Sequence, residues 1–183
     1  MENEKKLYTL IVHSENIAGI LNQVTAVFTR RQVNIESLNV SASSIPGVHR
    51  YTITAWADAE TIVKIVDQIE KKVDVLQCQY FTDDEIFMQE VALYKVVTSV
   101  LTENPEMSKI IRRYGAKLIE VNSTFSVIEK TGRTEDITAL NRELSAQGGM
   151  LQFVSSGRVA ITRARIEHVN EYLDKMEARY GKK

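Results

Sequence analysis

The chain predicts an α+β protein of two tandem βαββαβ units, each an antiparallel sheet with its helices on one face. Three observations carry the prediction. The apolar periodicity runs strand, helix, strand, strand, helix, strand through residues 7–81, then begins again at residue 90. An acidic segment, Thr82-Asp83-Asp84-Glu85, separates the two runs. Each half places a strand pair between its helices, with Asn34-Ile35-Glu36 in one and Leu118-Ile119-Glu120 in the other. The division is therefore residues 1–81 and 82–183, two ferredoxin-like domains of the common single-core size. Helices that share one apolar side cover one sheet face, which leaves the other face and the edge strands for a partner.

Taken in order, residues 7–13 (LYTLIVH) form a short apolar strand. Ile17, Ile20, Leu21, Val24, Val27 and Phe28 follow the i, i+3, i+4, i+7 spacing of an amphipathic helix. Residues 34–43 read as extended, Pro46-Gly47 turns the chain, and residues 48–57 return. There Tyr51, Ile53, Ala55 and Ala57 alternate with Arg50, Thr52, Thr54 and Trp56, the period of a half-buried strand. Asp58 is placed to cap a second helix whose Ile62, Ile65, Val66 and Ile69 share a face. Residues 73–81 make the fourth strand.

The second half opens with a strand over 90–98, and Asn104-Pro105 starts a helix as cap followed by proline. Met107, Ile110, Ile111 and Tyr114 line its buried face, and Gly115 stops it. Residues 116–122 and 124–130 form a hairpin, and Ile137, Leu140 and Leu144 mark the next helix, which Gly148-Gly149 ends. Residues 150–163 supply the last strand or pair. A final helix over 165–180 carries Ile166, Val169, Leu173, Met176 and Tyr180, a stripe for its own domain or for another chain.

Composition narrows the function. The 183 residues hold 23 Lys+Arg against 24 Asp+Glu, a formal net charge of −1, without the basic field a nucleic-acid or anionic-membrane binder needs. The longest strictly apolar run, Val91 to Tyr94, is far short of a membrane span, and no signal peptide is expected, because MENEKKLYTLIV puts acidic residues where one needs positive charge and has no apolar core of sufficient length. A single cysteine, Cys78, excludes an intrachain disulfide, and a reduced, cytoplasmic setting is expected.

Most catalytic signatures are absent. The glycines are scattered instead of forming a phosphate loop, and Ser155-Ser156-Gly157 lacks the spacing of a nucleophile elbow. Cys78, His13, His49 and His168 are isolated from one another, so no metal site is expected, and His13 and His49 read as partly exposed strand residues. Asp83-Asp84-Glu85 reads as a solvated linker and Glu135-Asp136 as first-turn helix charge. Arg30-Arg31, Lys71-Lys72 and Arg112-Arg113 sit at or near helix ends, where positive charge complements the dipole.

One segment reads as a site: Ser14-Glu15-Asn16-Ile17-Ala18-Gly19-Ile20-Leu21, joining the first strand to the first helix. Asn16 fits the cap position, which puts Gly19 inside the first turn. Glycine there has two explanations, close packing against a strand or the approach of a ligand where a Cβ would intrude. A helix N-terminus suits a carboxylate. Asn34 opens the second strand either as a turn residue or as an amide that donates to a carboxylate and accepts from an ammonium.

The run HSENIAGILNQVTAVFTRRQVNIESLNVSAS, followed by VDVLQ, resembles the regulatory (small) subunit of acetolactate synthase, or acetohydroxyacid synthase. Asn16, Gly19 and Leu21 form an NxxGxL element, and Val33 to Leu38 form VNIESL. The N-terminal unit is similar to ACT domains, modules that pair side by side and bind amino acids between them. EVALYKV, KLIEVNSTFSVIEKTG and SSGRVAI resemble the family's C-terminal domain.

The resemblance implies a subunit with no catalytic centre or cofactor of its own. It would activate a catalytic subunit carrying thiamine diphosphate, Mg and FAD, and confer inhibition by valine or another branched-chain amino acid. By matched position, Asn16, Ile17, Ala18, Gly19 and Ile20 would form the effector loop, with Asn34 and Ile35 contributed across a domain pair. Partners would be that catalytic subunit and a second copy, in a homodimer or larger assembly. Ala18 stands where many ACT domains have proline, and Ser155 where the family commonly has arginine. The alternatives are an ACT-type sensor for a different enzyme, a small enzyme, and an RNA-binding module, for which neither hairpin has the aromatic and basic run required.

Overall fold

The computed structural model describes residues 4–164, so the expected helix over 165–180 and His168 lie outside the described residues. Its described residues form two compact units, residues 4–87 with 160–164, and Met88–Val159.

The first unit runs β1 (Lys6–Glu15), α1 (Ile20–Arg30), β2 (Ile35–Ala42), β3 (Val48–Ala57), α2 (Ala59–Glu70) and β4 (Val75–Phe81). Its sheet is ordered β2-β3-β1-β4, antiparallel throughout, with Leu10 facing Ile53 on one side and Tyr80 on the other. Leu10, Val12, Ile53 and Ala55 pack against Val24, Val27 and Phe28 of α1 and Ile62, Ile65 and Ile69 of α2. Asp58 caps α2 as its sequence position predicts: Oδ1 accepts from the Thr61 N–H and Oδ2 from the Thr61 hydroxyl, both at 2.8 Å. Those two bonds hold the Asp58 carboxyl below the usual range.

The opposite face of this sheet is not free. Thr9, Ile11, His13, Thr52 and Thr54 are all buried, and the Arg50 guanidinium donates to the Ala160 carbonyl. The expectation of an open face fails at these positions, and among the described residues Ala160, which returns to the first unit, meets Arg50 there. His13 is therefore a buried strand residue, not a partly exposed one.

The second unit is built from β5 (Ile86–Val97), α3 (Thr98–Glu103), α4 (Pro105–Arg113), β6 (Lys117–Val121), β7 (Phe125–Gly132), α5 (Thr134–Ala146) and β8 (Met150–Ser155), while β9 (Val159–Thr162) leads from it back to the first unit. Its sheet is ordered β6-β7-β5-β8, with β9 also paired to β5. Ala92, Tyr94, Val96 and Ile128 meet Met107, Ile110, Ile137, Leu140 and Leu144 in its core. The Tyr94 hydroxyl donates to the Ile137 carbonyl at 2.9 Å, and burial pushes its ionisation up. On the helix-free face Val91, Leu93 and Val154 are exposed.

Asn104 caps α4, its Oδ1 accepting from the Glu106 N–H at 3.0 Å. The preceding helix α3 was not expected: with six residues and only Leu101 buried, it is too short to show a period. The acidic segment is a hydrogen-bonded turn in which Asp84 and Glu85 are exposed. The Thr82 N–H donates to Glu85 Oε2 at 2.8 Å and the Glu85 N–H returns to the Thr82 carbonyl at 3.1 Å.

Gly148 and Gly149 follow α5 with φ of 77° and 75°. A Cβ on Gly149 would stand 2.9 Å from Val100 Cγ2, so here the glycine is required by both backbone and space. Gly149→Ala is expected to destabilise the protein by about 2–4 kcal/mol, strain and overpacking together, measured by urea unfolding.

Candidate functional site

β1 ends at Glu15 and α1 begins at Ile20, so residues 16–19 make a corner at one end of the first sheet. The corner is tied at its base: the Glu15 N–H donates to the Asp74 carbonyl and the Asn16 N–H to the Gly47 carbonyl, both at 2.9 Å. Gly19 is the N-cap residue of α1, with φ 93° and ψ −12°.

That geometry corrects the sequence reading twice. Asn16 is not the cap, and Gly19 lies before the first turn instead of inside it. A Cβ on Gly19 would meet nothing within 4 Å, so close packing does not explain the glycine. The left-handed backbone does, since an L side chain there costs about 1–2 kcal/mol.

No side chain caps α1, and its first turn holds no acid. First-turn amides have no carbonyl one turn back to accept from them, so the positive end of the helix is presented bare. Asn16, Ile17, Ala18 and Gly19 are exposed around it, and Ile17 stays outside the helix whose stripe it was expected to join. Ile20 is 2% exposed and packs in the core, which leaves only its N–H to a ligand. A shallow pocket bordered by Glu15, Ile17, Gly47, Val48 and Leu76 lies beside the corner.

Asn34 is not part of this corner within one chain. It follows the far end of α1, past a left-handed turn at Gln32 (φ 54°). The eleven residues of α1 separate the two places by about 16 Å. Asn34 is exposed, while Ile35 is half-buried against the core. β2 is an edge strand, and both β1 and β2 pair antiparallel with β3, so β2 ends on the side where β1 ends, beside the corner.

The second unit contains a polar cluster that no sequence pattern announced. Glu90 and Arg158 are both more than nine-tenths buried, with Arg158 Nε 3.7 Å from Glu90 Oε1. The Thr134 hydroxyl donates to Glu90 Oε1, and the Ser155 hydroxyl to Oε2 at 2.7 Å. Arg158 Nε donates to Thr134 Oγ1 at 3.1 Å. Ser155, the position where the resemblance expects an arginine, thus satisfies a buried carboxylate.

Cys78 is buried, and burial followed by the charge of Glu70 pushes its thiol up, away from the reactive thiolate. Among the described residues no group of three or more His, Cys, Asp or Glu side chains is placed to hold a metal ion. No helix among them is long and apolar enough to cross a membrane.

A βαββαβ unit with an uncapped helix end exposed at its sheet corner has the ferredoxin-like architecture, and comparison with known families puts it in the ACT class. Residues 10–77 match the family described as the AHAS small subunit-like ACT domain, and residues 89–164 that described as the small subunit of acetolactate synthase. The acetolactate synthase small subunit of Bacillus subtilis (strain 168) is 34% identical over 160 residues, 87% of this chain and 91% of that protein. That of Mycolicibacterium smegmatis is 30% identical over 163 residues, 89% and 95% of the two. The crystal structure of the small subunit from Thermotoga maritima superposes with a TM-score of 0.77 at 26% identity, covering 88% of this chain and 99% of that one. The chain belongs to the acetolactate synthase small-subunit family, the regulatory subunits of that enzyme.

Proposed function

We propose that this chain, without a catalytic centre or cofactor of its own, activates a thiamine-diphosphate-dependent acetolactate synthase subunit in the cytoplasm. In the same reading it makes that enzyme sensitive to valine or another branched-chain amino acid. The N-terminal unit is the effector-binding and pairing module, and the second unit carries the response to the catalytic subunit.

The observation that carries the reading is the bare N-terminus of α1 behind Gly19. It offers amides to a carboxylate, with Asn16, Ile17 and Ala18 exposed around it. Side-by-side pairing explains how Asn34 joins it. A two-fold axis that sets β2 antiparallel to the β2 of a second copy brings the start of one strand to the end of the other. The end of β2 lies beside the corner, so Asn34 and Ile35 of one copy then flank residues 16–20 of the other. An amide supplied there meets both charged groups of an amino acid.

Coupling of this kind amounts to about 1–3 kcal/mol, a several-fold to hundredfold effect. Purified chain mixed with an acetolactate synthase catalytic subunit is expected to raise acetolactate formation, and valine to suppress the increase. The chain alone should turn over no pyruvate. Failure to stimulate the catalytic subunit would assign the sensor to a different enzyme.

A further inference from the structure

We propose that the first unit holds a second ligand site, for a small carboxylate with a compact apolar body, in the cleft at the far end of α1. The cleft lies between the α1–β2 turn and the start of α2 and is lined by Lys5, Arg31, Asn34, Glu36, Trp56 and Asp58, among others. It encloses about 630 Å³ of empty space, open solvent included.

Arg31 is the residue that points to a ligand. Its Nε is fully enclosed and has no hydrogen-bond partner, and among the described residues its guanidinium makes no ion pair. A buried donor without an acceptor is rare enough in folded proteins to call for an explanation. The backbone beneath it is held, the Arg31 N–H donating to the Phe28 carbonyl at 3.1 Å, so the side chain projects from a fixed point. A guanidinium presents a planar fork that matches a carboxylate. Lys5, exposed and also without an ion pair among the described residues, adds a second positive charge.

Trp56 supplies the apolar contact. The protein's one tryptophan is 50% exposed on the cleft wall, where a flat indole shields an aliphatic body from water. Two carboxylates also border the cleft. Both oxygens of Asp58 are engaged by Thr61, which leaves Glu36, at the bulge in β2, as the acid that meets an incoming anion. Within one chain the site lies at the opposite end of α1 from the proposed effector corner, and Asn34 is the residue it shares with the effector site of the paired reading.

Because Trp56 is the sole tryptophan, its fluorescence reports on this cleft directly. Titration of the full chain with isovalerate at constant ionic strength is expected to give a saturable change, and the neutral isostere isovaleramide none. Arg31→Gln and Lys5→Gln should each weaken isovalerate binding, the first by about tenfold. Glu36→Gln should tighten it, because a like charge is removed. Gly19→Asp should leave the titration unchanged, which separates this site from the effector corner. A saturable response to inorganic phosphate but not to isovalerate would overturn the assignment of an apolar carboxylate. The absence of any saturable change, or an Arg31→Gln chain that titrates like the wild type, would overturn the site itself.

Discussion

Gly19→Asp is expected to leave stimulation of the catalytic subunit intact while raising the half-inhibiting valine concentration by about a hundredfold or more. The side chain enters open space, so no neighbour is displaced. Aspartate tolerates a left-handed backbone better than most residues, which keeps the corner folded. Its carboxylate then occupies the positive end of α1 where the effector's carboxylate would bind, and repels it. Asn34→Ala removes an exposed amide with no hydrogen bond among the described residues, and should cost valine affinity about tenfold without touching stability.

Mixing the two variants tests the seam itself. In a pair made of one Gly19→Asp chain and one Asn34→Ala chain, one site carries both defects and the other carries none. Refolding the two variants together should therefore restore partial inhibition at a valine concentration that inhibits the wild type but is too low to inhibit either variant alone. A mixture that at this concentration stays as insensitive as the separate variants would argue that loop and amide do not meet across a two-fold axis.

The second large effect is on stability. Arg158→Ala is expected to lower the unfolding free energy by about 3–5 kcal/mol, because it leaves the Glu90 carboxylate buried without its cation. Replacing both partners, Glu90→Leu with Arg158→Met, should be markedly less damaging than the single change, since no charge is then stranded. The check is urea unfolding of the wild type, the single and the double variants. A double variant as unstable as the single one would show that the cluster stabilises through shape and not charge.

Much of the fold was legible because its signals are local. Asp58 and Asn104 sit where an acceptor meets the second or third amide of a helix, and both make that bond. The stripes Val24–Val27–Phe28 and Ile62–Ile65–Ile69 are buried as their spacing requires. The candidate site was legible only in outline. Gly19 and Asn34 were singled out by residue type and resemblance, but neither explanation open for the glycine, packing or ligand approach, was its left-handed backbone, since φ leaves no trace in residue spacing. Ile17 and Ile20 look alike in the stripe, yet one is exposed and the other buried.

From the chain alone came the doubled βαββαβ order, the sides of the helices that face inward and the family, because periodicity, caps and motifs act over a few residues. Only tertiary structure decided that the corner and Asn34 lie at opposite ends of α1, and that Glu90 meets Arg158 across 68 positions of sequence. It also decided that the far side of the first sheet is already buried, and that Arg31 is left holding an unanswered donor. The physical reason is common to all four. Each depends on the distance between groups brought together by chain closure, and the residues concerned share no period that would mark them as neighbours beforehand.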